Sequence, residues 1–169
     1  ITFLILVSTA LGYYLGANGV IEFNRLFITL AGTCLVSSGA GALNHVVEKD
    51  SDWLMERTNK RPLPAGLIDS KNAKLFGLVL IFLGAGILYH FINPLTSVLA
   101  FSTVILYIFV YTPLKKITWL NTSIGAIPGS IPPLGGWAAA TGTLDPESWV
   151  LFAILFLWQH PHFYAIAYM

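Results

Sequence analysis

Six long apolar runs, separated by short polar connections, dominate the pattern of this chain. Each run approaches the roughly 20 residues that a helix needs to cross a bilayer. A buried soluble core would not need six such runs in 169 residues. The pattern therefore predicts an all-α, polytopic transmembrane helical bundle with about six spans. The runs cover residues 1–16, 26–43, 75–92, 95–112, about 124–140, and 149–169.

Composition supports a membrane setting for the whole chain. The sequence is 56% hydrophobic and 10% charged, and its mean hydropathy of +0.73 lies outside the range of soluble domains. The first run has no basic segment before it, which argues against a cleaved signal peptide. We interpret residues 1–169 as a single intramembrane domain. Because both chain ends fall inside apolar runs, we expect a fragment that is truncated at both ends.

Basic side chains are concentrated on one side of the predicted bundle. If six spans alternate in direction, the connections 44–74 and 113–120 share a side, and every lysine and arginine except Arg25 lies in them. Positively charged connections stay on the cytoplasmic or matrix side of a membrane. The sequence therefore predicts that both connections face the cytoplasm or the mitochondrial matrix.

Residues 44–66 hold four carboxylates and four basic side chains in a chain that is otherwise nearly free of charge. Asn44, Glu48 and Asp52 are spaced four residues apart, so on a helix they stack on one face. Mg²⁺ typically uses one or two carboxylates together with phosphate oxygens. These three residues are candidate magnesium ligands. Asp50, about 200° round the helix from Glu48, is a further candidate that lies off their shared face.

Three basic residues, Arg57, Lys60 and Arg61, follow these carboxylates within about two helical turns. Guanidinium and ammonium groups bind phosphate oxygens through charge-assisted hydrogen bonds. The combination predicts a site for a magnesium-bound diphosphate. The competing interpretation is a solvated charge cluster at the membrane interface, in which Glu48 and Asp52 bind no ligand.

Two segments predict irregular backbone. The segment Arg61-Pro-Leu-Pro-Ala-Gly66 must leave the helix, because proline lacks a backbone donor and Gly66 permits a turn. Asp69 or Ser70 can then cap a helix that begins near Lys71. Residues 127–136 contain three prolines and three glycines inside a predicted span, which predicts a kinked or locally broken helix.

Four stretches of the chain occur together in an order that is typical of one group of enzymes. The first runs from Asn44 through Glu48, Asp52 and Arg57 to Arg61-Pro-Leu. The others are Tyr111-Thr-Pro-Leu-Lys-Lys116, the stretch from Gly125-Ala-Ile-Pro to Thr141-Gly142, and Trp158-Gln-His-Pro-His162-Phe. Together they resemble the intramembrane prenyltransferases of the UbiA superfamily, and in detail its haem O synthase branch (protohaem IX farnesyltransferases). Glu48 stands where much of the superfamily has aspartate, so a carboxylate is kept.

The resemblance also sets an expectation about completeness. The superfamily has about nine helices and a second aspartate-rich motif, which would follow the Pro161-His162-Phe163 stretch. This chain ends before such a motif. We therefore expect it to hold half of the diphosphate site and to be inactive alone.

The resemblance implies a transferase. It would move a farnesyl group from farnesyl diphosphate to a vinyl group of protohaem IX (haem b), giving haem O for haem A biosynthesis, with Mg²⁺ as cofactor. The resemblance assigns the metal to Asn44, Glu48 and Asp52, with Arg57 and Arg61 as further catalytic residues. The implied substrate-binding residues are Lys60, Tyr111, Lys115, Lys116, Trp158 and His162.

The resemblance further implies a setting and partners. The protein would be a multi-pass protein of the bacterial inner membrane or the mitochondrial inner membrane. Its active site would face the cytoplasm or matrix through the 44–74 loop. Farnesyl diphosphate and haem b are the implied substrates, the lipid bilayer is the implied surroundings, and haem A synthase and cytochrome oxidase assembly factors are candidate protein partners. Nucleic acid is not expected, because the basic residues lie among acidic ones.

Two other functions remain open at this point. A sister prenyltransferase that alkylates an aromatic acceptor would share the Asn44, Glu48 and Asp52 site. A cation channel or transporter would use the acidic cluster as an ion site and the broken helix as a path. Simpler interpretations also exist for individual residues: a topological lysine for Lys115 or Lys116, an interface histidine for His162, and an aromatic belt for Trp158.

Overall fold

The computed structural model describes residues 1–115 and 117–168, and within them the secondary structure is helical with no strand. A π-helical segment, Leu106–Tyr111, directly continues the helix that ends at Ile105 and leads into the short helix that begins at Thr112. The α-helices are α1 (Thr2–Gly16), α2 (Phe23–Val47), α3 (Lys49–Trp53), α4 (Ser70–Phe91), α5 (Pro94–Ile105), α6 (Thr112–Leu114), α7 (Asn121–Thr141) and α8 (Pro146–Tyr168).

Within the described residues the six apolar runs coincide with helical structure, apart from Ile1 and Ile92 at the ends of their runs, so the prediction of an all-α membrane bundle is confirmed. Three lengths of described helix are long and apolar enough to cross a membrane: Phe23–Val47, Ser70–Phe91 and Pro94–Leu114. The last of these combines α5, the π-helical segment and α6. Thr2–Gly16 is apolar but shorter.

Helices α2 and α4 approach closely because glycines face each other along their contact. A Cβ atom on Gly39 would lie 2.6 Å from the Gly77 carbonyl oxygen, and one on Gly84 would lie 2.6 Å from the Gly32 carbonyl oxygen. Small residues allow this distance between helices in a membrane, where backbone packing replaces the hydrophobic drive of water. The pair forms the wall against which α5 packs, through a buried core that includes Val36, Ile81, Leu88, Val104 and Ile108.

Hydrogen bonds identify which helix termini share an end of the bundle. At one end, Lys49 Nζ donates to Ser70 Oγ at 3.3 Å, and the Thr112 hydroxyl contacts the Asn44 side chain. At the other end, Asn93 Nδ2 donates to the Ala138 carbonyl at 2.7 Å. The connection after α2 and the connection after α6 therefore lie at the same end, as the alternation of spans predicts.

The connection between α3 and α4 turns where the sequence indicates. Gly66 has a φ of +72°, which glycine adopts without a steric penalty. Asp69 caps α4, since its carboxylate accepts hydrogen bonds from the backbone N–H groups of Lys71 at 3.1 Å and Asn72 at 3.4 Å. The predicted turn and the predicted cap are both confirmed.

The proline-rich segment of α7 does not break the helix. The helix runs from Asn121 to Thr141 through all three prolines. Two side chains supply hydrogen bonds to one carbonyl of this region: the buried Ser130 hydroxyl donates to Ala126 O at 2.7 Å, and Gln159 Nε2 of α8 donates to the same oxygen at 3.3 Å. The carbonyls that lose their helical donor to the three prolines are those four residues earlier, on Ile124, Pro128 and Gly129, so these side-chain bonds add to the helix and do not replace the bonds that proline removes.

We predict that Gly136→Ala destabilises the contact between α1 and α7, because a Cβ there would overlap the Thr9 carbonyl oxygen. Overpacking of this kind costs about 1–3 kcal/mol, and the loss is measurable as a lower apparent Tm in detergent. Gly135→Ala is the matched control, since a Cβ on Gly135 meets no heavy atom of the described residues within 4 Å. Equal effects of the two substitutions would contradict this packing.

Candidate functional site

The end of α2 and the short helix α3 stack the three predicted metal ligands on successive turns. The backbone N–H of Glu48 donates to Asn44 O at 2.9 Å, and that of Asp52 donates to Glu48 O at 2.8 Å. Glu48 itself has φ −95° and ψ 1° and separates the two helices. The helical rise thus continues through this irregular residue and keeps the three side chains on one side.

Asn44 and Lys115 both contact the Glu48 carboxylate. Asn44 Nδ2 donates to Glu48 Oε2 at 2.6 Å, and Lys115 Nζ forms an ion pair with Glu48 Oε1. Asn44 is buried, with 7% of its surface exposed. Because Lys115 follows α6, this ion pair joins the end of α2 to the end of the α5–α6 span.

Asp52 receives its partners from the connection that follows α3. Arg61 Nη1 lies 2.8 Å from Asp52 Oδ2, and the buried Thr58 hydroxyl donates to the Asp52 carbonyl at 2.9 Å. Asp52 is 6% exposed, so this carboxylate depends on the Arg61 guanidinium for its compensating charge. The chain between Asp52 and Arg61 folds back on itself to make this pair.

The π-helical segment places two aromatic rings and a hydroxyl beside these charges. The rings of Tyr107 and Tyr111 stack with centroids 5.7 Å apart, and Lys115 Nζ lies 5.6 Å from the Tyr111 ring centroid. The Thr112 hydroxyl reaches Asn44 Oδ1 at 3.0 Å and Tyr107 O at 2.7 Å. A π turn shifts the helix by one residue, and here it directs Thr112 toward α2.

The structure brings together Asn44, Glu48, Asp52, Arg61 and Lys115, with Tyr111 against Lys115. It does not bring all the predicted residues into this group. Those that stay outside it, with their side chains exposed, are Asp50, Arg57, Lys60, Trp158 and His162. Lys116 lies outside the described residues.

Trp158 and His162 stack on each other on α8, with ring centroids 4.7 Å apart and planes 14° apart. Helix α8 packs on α7 and α1, whereas the carboxylates stand on α2 and α3. The aromatic ring contacts of this pair within the described chain are with each other and with Phe163. Their expected roles in substrate binding stay predictions.

The chemistry of the donors fits Mg²⁺ in part. Two carboxylates and an amide oxygen are hard ligands, which Mg²⁺ combines with the oxygens of a phosphate substrate. Within residues 1–115 and 117–168, no group of three or more His, Cys, Asp or Glu side chains is placed to hold a metal by itself. A divalent ion bound here would therefore need oxygens from the substrate or from other protein ligands.

Sequence reasoning missed Thr112 and Thr58 as parts of the site. Thr112 lies in the Tyr111–Lys116 stretch, but nothing in the sequence marks a π turn before it. A pair that joins α7 to α8 was also missed: Ser123 Oγ lies 3.0 Å from His160 Nε2, and His160 Nδ1 lies 2.8 Å from Phe156 O. His160 is thus held by two partners at the same end of the bundle.

Comparison with known sequences matches residues 5–169 to the UbiA prenyltransferase family. Three curated relatives carry the name protoheme IX farnesyltransferase. The relative from Solibacter usitatus (strain Ellin6076) is 47% identical, over 100% of this chain and 61% of its own. The relative from Picosynechococcus sp. (strain ATCC 27264 / PCC 7002 / PR-6) is 44% identical, over 98% of this chain and 53% of its own length. The relative from Sorangium cellulosum (strain So ce56) is 50% identical, over 85% of this chain and 51% of its own length.

The chain spans between 51% and 61% of the length of these relatives. A solved structure from work on digeranylgeranylglyceryl phosphate synthase in membranes has the same fold. Its TM-score is 0.79 at 21% identity, over 90% of this chain and 53% of that one. The similarity supports the helical arrangement described above.

We predict that Arg61→Met lowers the free energy of unfolding by about 1–3 kcal/mol, because it leaves the buried Asp52 carboxylate without a cation. The loss would appear as a lower apparent Tm. Arg57→Met makes the same change at an exposed side chain and should have little effect. The double variant Arg61→Met/Asp52→Asn should recover part of the stability. Equal losses from Arg61→Met and Arg57→Met would refute the assigned pair.

Proposed function

From the premise that this chain belongs to the UbiA prenyltransferase family, we propose that it carries residues of the diphosphate site of a haem O synthase. The enzyme would transfer a farnesyl group from farnesyl diphosphate to a vinyl group of haem b. The observation that carries the proposal is the meeting of Glu48 with Lys115 and of Asp52 with Arg61 at one end of the bundle. The name protoheme IX farnesyltransferase, which these relatives share, supports the choice of haem as acceptor.

The paired charges suit a ligand that combines a cation with an anion. Lys115 and Arg61 balance the two carboxylates, so the group remains neutral without a ligand. A magnesium diphosphate supplies both signs: its phosphate oxygens attract the two basic groups, while its cation attracts the carboxylates. The site can thus exchange internal ion pairs for contacts with the ligand without leaving a buried charge unpaired.

The residues that would hold Mg²⁺ are Glu48 and Asp52, with Asn44 as a third oxygen donor. The bound ion would supply positive charge that offsets the negative charge of the diphosphate. Arg61 and Lys115 would bind diphosphate oxygens and lower the cost of the charge that develops as the leaving group departs. Arg57 and Lys60 belong to the same connection as Arg61, and they would bind the diphosphate if their exposed side chains turn inward.

The proposed reaction begins when the C1–O bond of farnesyl diphosphate breaks and its electron pair leaves with the diphosphate. The farnesyl group becomes an allylic cation, which the faces of Tyr107 and Tyr111 would stabilise through cation–π attraction. The π electrons of a haem vinyl group then form the new C–C bond. Water adds to the resulting cation and loses a proton, which gives the hydroxyethylfarnesyl side chain.

The setting follows from the same arrangement. The site lies at the end of the bundle that carries the basic connections, and by the positive-inside rule this end would face the cytoplasm or the matrix. The membrane would be a bacterial inner membrane or a mitochondrial inner membrane. Both substrates have large apolar parts, so they would enter the site from the bilayer.

The function is tested with the complete open reading frame in lipid nanodiscs, given haem b, farnesyl diphosphate and Mg²⁺, with mass spectrometry of the haem. We expect a haem that carries an added hydroxyethylfarnesyl group. Asp52→Ala should lower the rate of its formation by roughly 100-fold or more, because both the metal ligand and the Arg61 partner are lost. Glu56→Ala, which removes an exposed carboxylate from the same connection, should keep the rate within about twofold of wild type.

The other outcomes separate the competing functions. Consumption of farnesyl diphosphate with unmodified haem would replace haem by another aromatic acceptor. Full activity of Asp52→Ala would contradict the metal assignment. Failure of the wild-type protein to bind farnesyl diphosphate in the presence of Mg²⁺ would contradict the prenyltransferase itself and favour an ion channel or transporter.

A further inference from the structure

The Thr112 hydroxyl has two oxygens within hydrogen-bond distance and one hydrogen to donate. Tyr107 O lies at 2.7 Å and Asn44 Oδ1 at 3.0 Å. Thr112 is 1% exposed, so its hydroxyl is out of reach of the bulk solvent. Because a hydroxyl can also accept, the direction of its hydrogen sets which end of the Asn44 amide it can bind.

Two arrangements of this pair are possible. In the arrangement described above, the hydroxyl donates to Asn44 Oδ1 and the amide Nδ2 donates to Glu48 Oε2 at 2.6 Å. If the hydroxyl instead donates to Tyr107 O, its oxygen can accept from the Asn44 amide. The amide is then turned round, and Oδ1 lies beside the Glu48 carboxylate. Two oxygens side by side repel each other without a cation and bind one well.

We propose that Thr112 is a positioning residue that lets the Asn44 amide turn its oxygen toward a divalent cation. This inference rests on the proposed function, in which Asn44 and Glu48 hold Mg²⁺. The hydroxyl serves both arrangements with the same number of hydrogen bonds. Without the ion, the Thr112 hydroxyl donates to the Asn44 amide oxygen and the Asn44 amide nitrogen donates to Glu48. With the ion, the Asn44 amide nitrogen donates to the Thr112 hydroxyl, and that hydroxyl donates to Tyr107 O.

Removal of the hydroxyl affects the two arrangements unequally. Valine at position 112 leaves the ion-free arrangement with one of its two hydrogen bonds, from Asn44 to Glu48. It leaves the ion-binding arrangement with none, since both of its hydrogen bonds involve the hydroxyl. The ion-binding arrangement therefore loses one hydrogen bond more, and the affinity for the ion must fall.

The test is calorimetric titration of farnesyl diphosphate binding against Mg²⁺, with the complete open reading frame in nanodiscs and haem omitted. We expect Thr112→Val to raise the half-saturating Mg²⁺ concentration roughly fivefold, the effect of one net hydrogen bond. Thr112→Ser keeps the hydroxyl and should stay within about twofold of wild type. Thr112→Ala gives the same test as Thr112→Val if the valine variant does not fold.

Thr103→Val is the matched control, because the Thr103 hydroxyl donates to the Leu99 carbonyl at 2.9 Å on the same span and away from the carboxylates. It should leave the Mg²⁺ dependence unchanged. A wild-type Mg²⁺ dependence in both Thr112→Val and Thr112→Ala, whether or not their Tm falls, would overturn the inference. So would an equal shift in Thr103→Val. Binding of farnesyl diphosphate by the wild-type protein that does not depend on Mg²⁺ would instead overturn the proposed function.

Discussion

A carboxylate buried at the end of a membrane-spanning helix needs a compensating cation, because removing an unpaired charge from water costs several kcal/mol. Glu48 and Asp52 obtain theirs from two different parts of the chain. Lys115 comes from the end of the α5–α6 span, and Arg61 comes from the connection after α3. These two ion pairs determine where the loop and the neighbouring span meet α2. The site exists because both pairs form at the same end of the bundle.

The π-helical segment directs the side chains that follow it toward the end of α2. If residues 106–111 were α-helical, the residues after them would be rotated around the helix axis by about one residue step, or about 100°. With the π turn, Thr112 contacts Asn44 and Lys115 contacts Glu48. π turns are frequent at functional sites for this reason, since they redirect a few side chains without ending a helix. The arrangement connects a local irregularity of backbone to the orientation of a candidate metal ligand.

Much of this arrangement could be predicted from the sequence, because it follows from short-range rules. The apolar runs give the helices, Asp69 gives the cap of α4, and a spacing of four puts Asn44, Glu48 and Asp52 on one face. The selection of Arg61 over Arg57 and Lys60 could not be predicted, because it depends on how the chain folds back after Asp52. The unbroken α7 could not be predicted either, since local rules treat each proline as a helix breaker and do not show the neighbouring helices α1 and α8 that pack on it.

We propose that the basic partners of these carboxylates also hold a diphosphate. The most direct measurement is the affinity of a non-reacting farnesyl thiodiphosphate, in the presence of Mg²⁺, for Lys115→Met and for Lys74→Met. Lys74 is an exposed lysine at the same end of the bundle. We expect a loss of affinity of roughly tenfold or more for Lys115→Met, because a charge-assisted bond is removed, and little change for Lys74→Met. Equal affinities of the two variants would contradict it.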